Sequence, residues 1–210
     1  MTIEGTGTRR WQRRGGGLVI AAFVLEGAGL LGYYLTNVRA PQAGVILADG
    51  LPLLAATALV LAVFTLTMGT NGTDGIVGSS RTGKTALIAW GVFTLLSRVA
   101  NLGFFTLGVG ALDNVGGVVR TCAVVAVITG AVASVVIYRA RIATGAARWA
   151  LMVVVLLQFA ALALTGMSNT LSWVIAGLGI ISGLLLGLIW TRAATIAQSQ
   201  VRTPVENLAE

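Results

Sequence analysis

Residues 51–69 read LPLLAATALVLAVFTLTMG. No charged side chain interrupts this stretch, and it is about as long as a helix needs to cross the hydrocarbon core of a bilayer, roughly 20 residues. Backbone polar groups in lipid must be satisfied internally, so a membrane span is either a helix or a strand of a closed barrel. Barrel strands alternate apolar and polar residues over short segments. This run does not alternate, so it predicts a helix.

Five further runs have the same character. The six expected spans are Leu18–Thr36, Leu51–Gly69, Ala86–Val109, Asp113–Tyr138, Trp149–Thr165 and Leu171–Thr191. No connecting segment is long enough for a soluble domain. Charged residues make up 10% of the chain and the mean hydropathy is +0.90, against about 25% charged residues in a soluble domain. The expected fold is all-α: a polytopic membrane bundle of six transmembrane helices. Residues 1–17 form a basic tail, 18–191 the transmembrane domain and 192–210 a second tail.

The formal charge of +7 would suggest nucleic acid in a soluble protein, but here the basic residues cluster at the ends of the spans, so no nucleic acid is expected. Lys and Arg in short loops set orientation, with the excess in the cytoplasm. Arg9, Arg10, Arg13, Arg14, Arg81, Lys84, Arg139, Arg141, Arg148, Arg192 and Arg202 all fall on one side of a six-span chain, and Arg39 falls on the other. Both termini are therefore expected in the cytoplasm. The first apolar run continues through Tyr33, Tyr34 and Leu35, longer than the short apolar region of a cleaved signal, and reads as a retained helix. Trp11 among four arginines reads either as an interfacial anchor on anionic headgroups or as part of a disordered basic tail. Thirteen of the fourteen basic residues are Arg, a composition compatible with a GC-rich bacterial genome. The expected location is the bacterial inner membrane.

The chain has no His, so His-ligated haem or zinc is not expected, and its one cysteine, Cys122, lies within the fourth span. A lone thiol there reads as a small apolar filler. Neither metal nor cofactor is expected. Gly78-Ser79-Ser80-Arg81-Thr82-Gly83-Lys84-Thr85 matches the phosphate-binding GxxxxGK[ST] pattern letter for letter. The context is wrong for it: only Thr70 to Val77 lies upstream before the preceding span, so no buried strand leads into the loop. It reads as a Gly/Ser loop ending in a Lys at the membrane interface.

Charge inside the membrane is the informative signal. Glu26 lies about 14 Å into the first helix from its cytoplasmic end, and Arg98 about 17 Å below the outer end of the third, at 1.5 Å per residue. An ionised side chain at such depth costs several kcal/mol facing lipid, so both should turn inward and find a partner. Matched depth and opposite sign predict an ion pair between helices one and three. Thr94, Arg98, Asn101 and Phe105 share one face of the third helix. Gln158 lies at similar depth in the fifth, so Glu26, Arg98, Asn101 and Gln158 form the expected intramembrane polar cluster. Nearer the outer surface, Asp113 and Arg120 fall two turns apart on one face of the fourth helix. They read as an ion pair reaching toward water or as the rim of a positive outer vestibule.

Gly179, Gly183 and Gly187 make a repeated GxxxG in the sixth helix, and Gly130 and Ser134 a smaller version in the fourth. Such stripes let helices approach closely, inside the bundle or against a homo-oligomer or membrane-protein partner. Gly27, Gly29 and Gly32 are expected to open space around the Glu26 carboxylate. Pro52 is expected at a helix start. The two halves of the chain show no internal repeat. Two functional classes follow: a transport component, such as a transporter or permease subunit using the polar cluster, or a non-transporting accessory or assembly subunit of a larger membrane complex. An enzyme is not expected, since few loop carboxylates (mainly Asp49 and Asp74) and no His are at hand.

Overall fold

Several helix ends in the computed structural model have identifiable chemical causes. The structure describes the backbone of residues 8–39, 41–69, 75–105, 115–140, 142–143, 145–164 and 169–206, and side chains within 11–32, 50–69, 75–101, 116–140, 142–143, 145–164 and 174–192. It contains α1 (Thr8–Arg39), α2 (Pro41–Met68), α3 (Arg81–Phe105), α4 (Val115–Ala140), α5 (Ala147–Leu164) and α6 (Asn169–Glu206). Pro41 opens α2 at the position where a missing N–H is harmless. Gly69, at φ 61°, ends it in the left-handed region. Ser80 caps α3: its Oγ accepts the Gly83 N–H at 3.1 Å, and its carbonyl accepts the Lys84 N–H at 3.0 Å. Gly145, at φ 57°, turns the chain into α5.

Among the described residues, each helix packs on its two neighbours in sequence, and α6 returns to pack on α1. The six helices thus form a closed ring, with no direct backbone packing across it. Five of them are long and apolar enough to cross a membrane: Trp11–Gly32, Gly50–Met68, Gly116–Ala140, Ala147–Leu164 and Val174–Arg192. α3 falls short over its described side chains, which include Arg81, Lys84, Arg98 and Asn101. It is held between α2 and α4, both of them spans, and so shares their layer. The chain is a multi-pass helical membrane protein. The outer surface agrees: Leu178, Ile181, Leu185 and Leu188 of α6 are all exposed, as are Leu54, Leu61 and Phe64 of α2. Such continuous apolar surface is rare on soluble monomers and is what lipid requires.

Among the described residues, the close-packed core lies toward one end of the ring. Val19 and Ala22 of α1, Leu59, Ala62, Val63 and Leu66 of α2, Leu87 and Trp90 of α3, Ala133 and Ile137 of α4, Leu151 and Val154 of α5, and Leu186 and Trp190 of α6 are all buried together. In α2 to α5 these positions are the early turns of odd-numbered helices and the late turns of even-numbered ones, and in α1 and α6 they lie at the same level. They mark the end carrying the α2–α3 and α4–α5 loops. The α2–α3 loop folds back into this end. Ile76 donates its N–H to Leu66 O at 2.9 Å, and Ile76 and Val77 are buried. Ala143 of the α4–α5 loop joins them, as does Trp11. Trp190 donates its indole N–H to Ala147 O at 3.3 Å. These residues form a close-packed floor.

Several expectations change here. α1 begins at Thr8, so the arginine-rich stretch is helical, and Trp11 is only 6% exposed, inside the protein. It is neither a headgroup anchor nor part of a disordered tail, because the floor offers its ring more apolar contact than the interface does. Pro52 lies inside α2, not at its start, since the helix runs back to Pro41. The Pro52 ring packs on Gly29 of α1, where an added Cβ would stand 2.7 Å from Pro52 Cδ. At Gly27 an added Cβ would make only an ordinary contact, 3.5 Å from Ile180 of α6. Gly29 therefore admits a neighbouring helix and does not open space around Glu26.

The GxxxG stripe of α6 works inside the ring. Phe23 of α1 fills the space above Gly183, and Ile20 and the Gly16 backbone lie against Gly187. Gly179 has nothing within 4 Å of where a Cβ would be, so the close approach of α6 to α1 involves the lower two glycines only. In α4, Gly130 makes room for two side chains at once. A Cβ there would stand 2.8 Å from both Trp90 Cδ1 and Val155 Cγ2.

Candidate functional site

Above the close-packed floor, α3 turns polar. Trp90, Thr94, Ser97 and Arg98 recur at helical spacing on one face, and this face looks into the ring. Two side-chain links cross the ring from it. Arg98 donates through an Nη to Glu26 Oε1 on α1, forming the expected ion pair. Trp90, on the turn next to the floor, donates its indole N–H to Gln158 Oε1 on α5 at 3.1 Å. Neither α1 nor α5 packs its backbone on α3. Side chains span those gaps, and these two links do so with hydrogen bonds.

The pair is partly accessible: 41% of the Arg98 side chain and 24% of the Glu26 side chain are exposed. Part of that accessible surface belongs to a cavity of about 250 Å³ on the inner side of α3, α4 and α5. Thr94, Ser97, Arg98 and Gln158 give it a polar wall, and Ala123, Ala126, Val127, Ala161 and Leu162 an apolar one. The hydroxyl hydrogens on the polar wall are directed to the backbone. Thr94 donates to Trp90 O at 2.7 Å, and Ser97 to Val119 O at 3.5 Å.

The expected cluster is thus rearranged. Glu26 and Arg98 meet. Gln158 shares the cavity with Arg98, yet its described hydrogen bond goes to Trp90. Trp90 and Arg98 stand two turns apart on α3, about 12 Å along the axis, so one carboxamide cannot serve both. Asn101 is partly buried one turn beyond Arg98, and among the described residues it is neither bonded to the pair nor part of the cavity wall. Arg120 is exposed on α4. Asp113, its expected partner in an outer vestibule, lies outside the described residues. Trp90 is the functional neighbour that sequence reasoning missed. Its signal was present: it precedes Thr94 by four residues, so the polar stripe extends back through it to Gln158.

The phosphate-loop lookalike resolves into helix capping. Ser80, in the middle of the motif, closes the first turn of α3. Gly83 lies against Val136 and Val77, where a Cβ would stand 2.5 Å from Val136 Cγ1. The turn is packed between protein segments, with its glycine spent on close approach.

No family model matches this chain, and neither a curated protein nor a solved structure matches it.

Proposed function

We propose that the protein is a small transport component of a bacterial inner membrane, oriented with both termini in the cytoplasm, and that the cavity beside Arg98 is its solute site. The observation that carries this reading is the position of the cavity. It lies in the ring interior, bordered by an ionised side chain near mid-membrane, and it stands over a close-packed floor. Ionisable residues in membrane spans characteristically mark substrate or ion paths. A register lock between α1 and α3 would need the ion pair alone. It would not need a donor-bearing cavity next to it.

The test is thiol accessibility. In a Cys122→Ser background, Ala161→Cys and Ala123→Cys on the cavity wall should react with a small membrane-impermeant reagent added outside intact cells. Ala133→Cys and Leu151→Cys in the floor should not react. Protection of all four positions would mean a dry interior and would favour an accessory subunit, which should then co-purify with its complex in mild detergent.

A further inference from the structure

We propose that the cavity between α3, α4 and α5 binds a short-chain organic monocarboxylate together with one proton, the ligand carboxylate replacing Glu26 on Arg98. This assignment rests on the solute-site reading above and names the ligand chemistry.

Two side chains of the wall, Arg98 and Gln158, present hydrogen-bond donors to the cavity. An indole N–H can only donate, so the bond from Trp90 fixes the Gln158 carbonyl oxygen toward α3 and leaves the amide NH₂ for the cavity. A guanidinium carries five donors and no acceptor, and the Glu26 bond engages one Nη of Arg98. Thr94 and Ser97 have turned their hydrogens to the backbone and offer the cavity only oxygen lone pairs. Toward Arg98 and Gln158 a ligand must bring acceptors, and a carboxylate matches a guanidinium fork in geometry as well as charge. The opposite wall is Ala123, Ala126, Val127, Ala161 and Leu162. It offers nothing to the remaining oxygens of an inorganic oxyanion but accepts a short aliphatic body. The volume, about 250 Å³, lies below the roughly 300–1,000 Å³ of sites for drug-sized ligands and suits a body of a few carbons.

Charge balance adds the proton. Arg98 is already neutralised by Glu26, and an added anion would leave an uncompensated charge inside the membrane. The described part of α2 packed against Glu26, residues 50–68, has no ionisable side chain, and Asp49 lies beyond Pro52, toward the outer end. On α6, the described residues 174–192 offer only Arg192, at the floor end. Across the ring stands Arg98, and Arg120 is exposed farther out on α4. Glu26 is then the group that takes the proton. One carboxylate and one proton enter. The proton bonds to the Glu26 carboxylate, the Arg98–Glu26 pair gives way to an Arg98–ligand pair, and the net charge of the site is unchanged.

The experiment is a titration of the purified full chain in nanodiscs with sodium butyrate, followed by ligand-observed NMR between pH 6 and 8. Sodium nitrate serves as the inorganic arm. Uptake of one proton per ligand requires the dissociation constant to rise about tenfold per pH unit. Glu26→Gln should bind butyrate with no pH dependence, and Ala123→Leu, which fills the apolar wall and leaves the pair intact, should lose binding. pH-independent binding by the unmodified protein, nitrate binding as tightly as butyrate, or no butyrate binding would each overturn the proposal. If butyrate fails while Ala161→Cys is labelled from outside, the ligand assignment falls and the hydrated cavity stands. If both fail, the solute-site reading falls with it.

Discussion

Gly16 of α1 and Gly187 of α6 meet backbone to backbone where the ring closes. A Cβ on Gly187 would stand 3.0 Å from Gly16 O, and a Cβ on Gly16 would stand 3.0 Å from Gly187 O. Because backbone cannot swing aside as a side chain can, Gly187→Leu should force α1 and α6 apart. The expected loss is about 1–3 kcal/mol, as for other overpacked cores, read as a lower midpoint of thermal unfolding in detergent. Gly179→Leu, made in the same stripe where space is open, should leave the midpoint nearly unchanged. Equal losses at the two sites would mean that the seam is misplaced.

The next expectation concerns the phosphate-loop lookalike. Ser80→Ala removes the cap of α3 and should cost about 1 kcal/mol. Lys84→Ala should leave stability and function nearly intact. ATP should bind neither protein specifically in equilibrium dialysis. Specific binding that Lys84→Ala abolishes would restore the nucleotide reading.

Trp90 and Gln158 form a matched donor and acceptor inside the ring. Trp90→Phe leaves the Gln158 carbonyl without its partner, a cost of about 1–3 kcal/mol. Gln158→Leu strands the indole of a residue that is only 1% exposed, with a loss of similar size. The double variant should lose less than the two singles combined, measured by unfolding midpoints in the same detergent. Strict additivity would show that the two side chains are not coupled.

Much of this fold was legible in the sequence because lipid imposes long apolar runs, and the helix-forming runs found their places. The Glu26–Arg98 pairing followed from depth and sign alone, since a membrane leaves an ionised side chain few places to go. What could not be read was how residues outside the apolar runs are used. Trp11 and the loop residues Ile76 and Val77 look like interfacial or loop residues, but become floor because the helix ends leave a gap there to fill. The partner of Gln158 was hidden for a related reason. Trp90 reads as apolar bulk, and its one N–H matters only once the ring brings α5 opposite. Which helix meets each glycine is likewise a property of the ring order, which a glycine pattern does not encode.

The orientation has its own check. Eleven of the fourteen basic residues lie on one side of a six-span chain, so cysteines substituted for Gly110 and Asn169 should be labelled from outside intact cells by an impermeant reagent. A cysteine at Gly145 should be labelled only after the membrane is opened. Labelling of Gly145→Cys from outside would overturn the assignment of the floor to the cytoplasmic face.

Glu26 and Arg98 hold each other across the ring, and a double-mutant cycle measures that coupling. Removing one partner of a fully buried pair costs about 3–5 kcal/mol, and the 41% exposure of the Arg98 side chain reduces that here. Glu26→Gln and Arg98→Gln should each lower the unfolding midpoint and the folded yield. The double variant should recover part of the combined loss, as coupled neighbours do, and the exchanged pair Glu26→Arg with Arg98→Glu should recover more than either reversal alone. If the single losses simply add and the exchange rescues nothing, the two side chains do not touch, and the polar layer built on them is wrong.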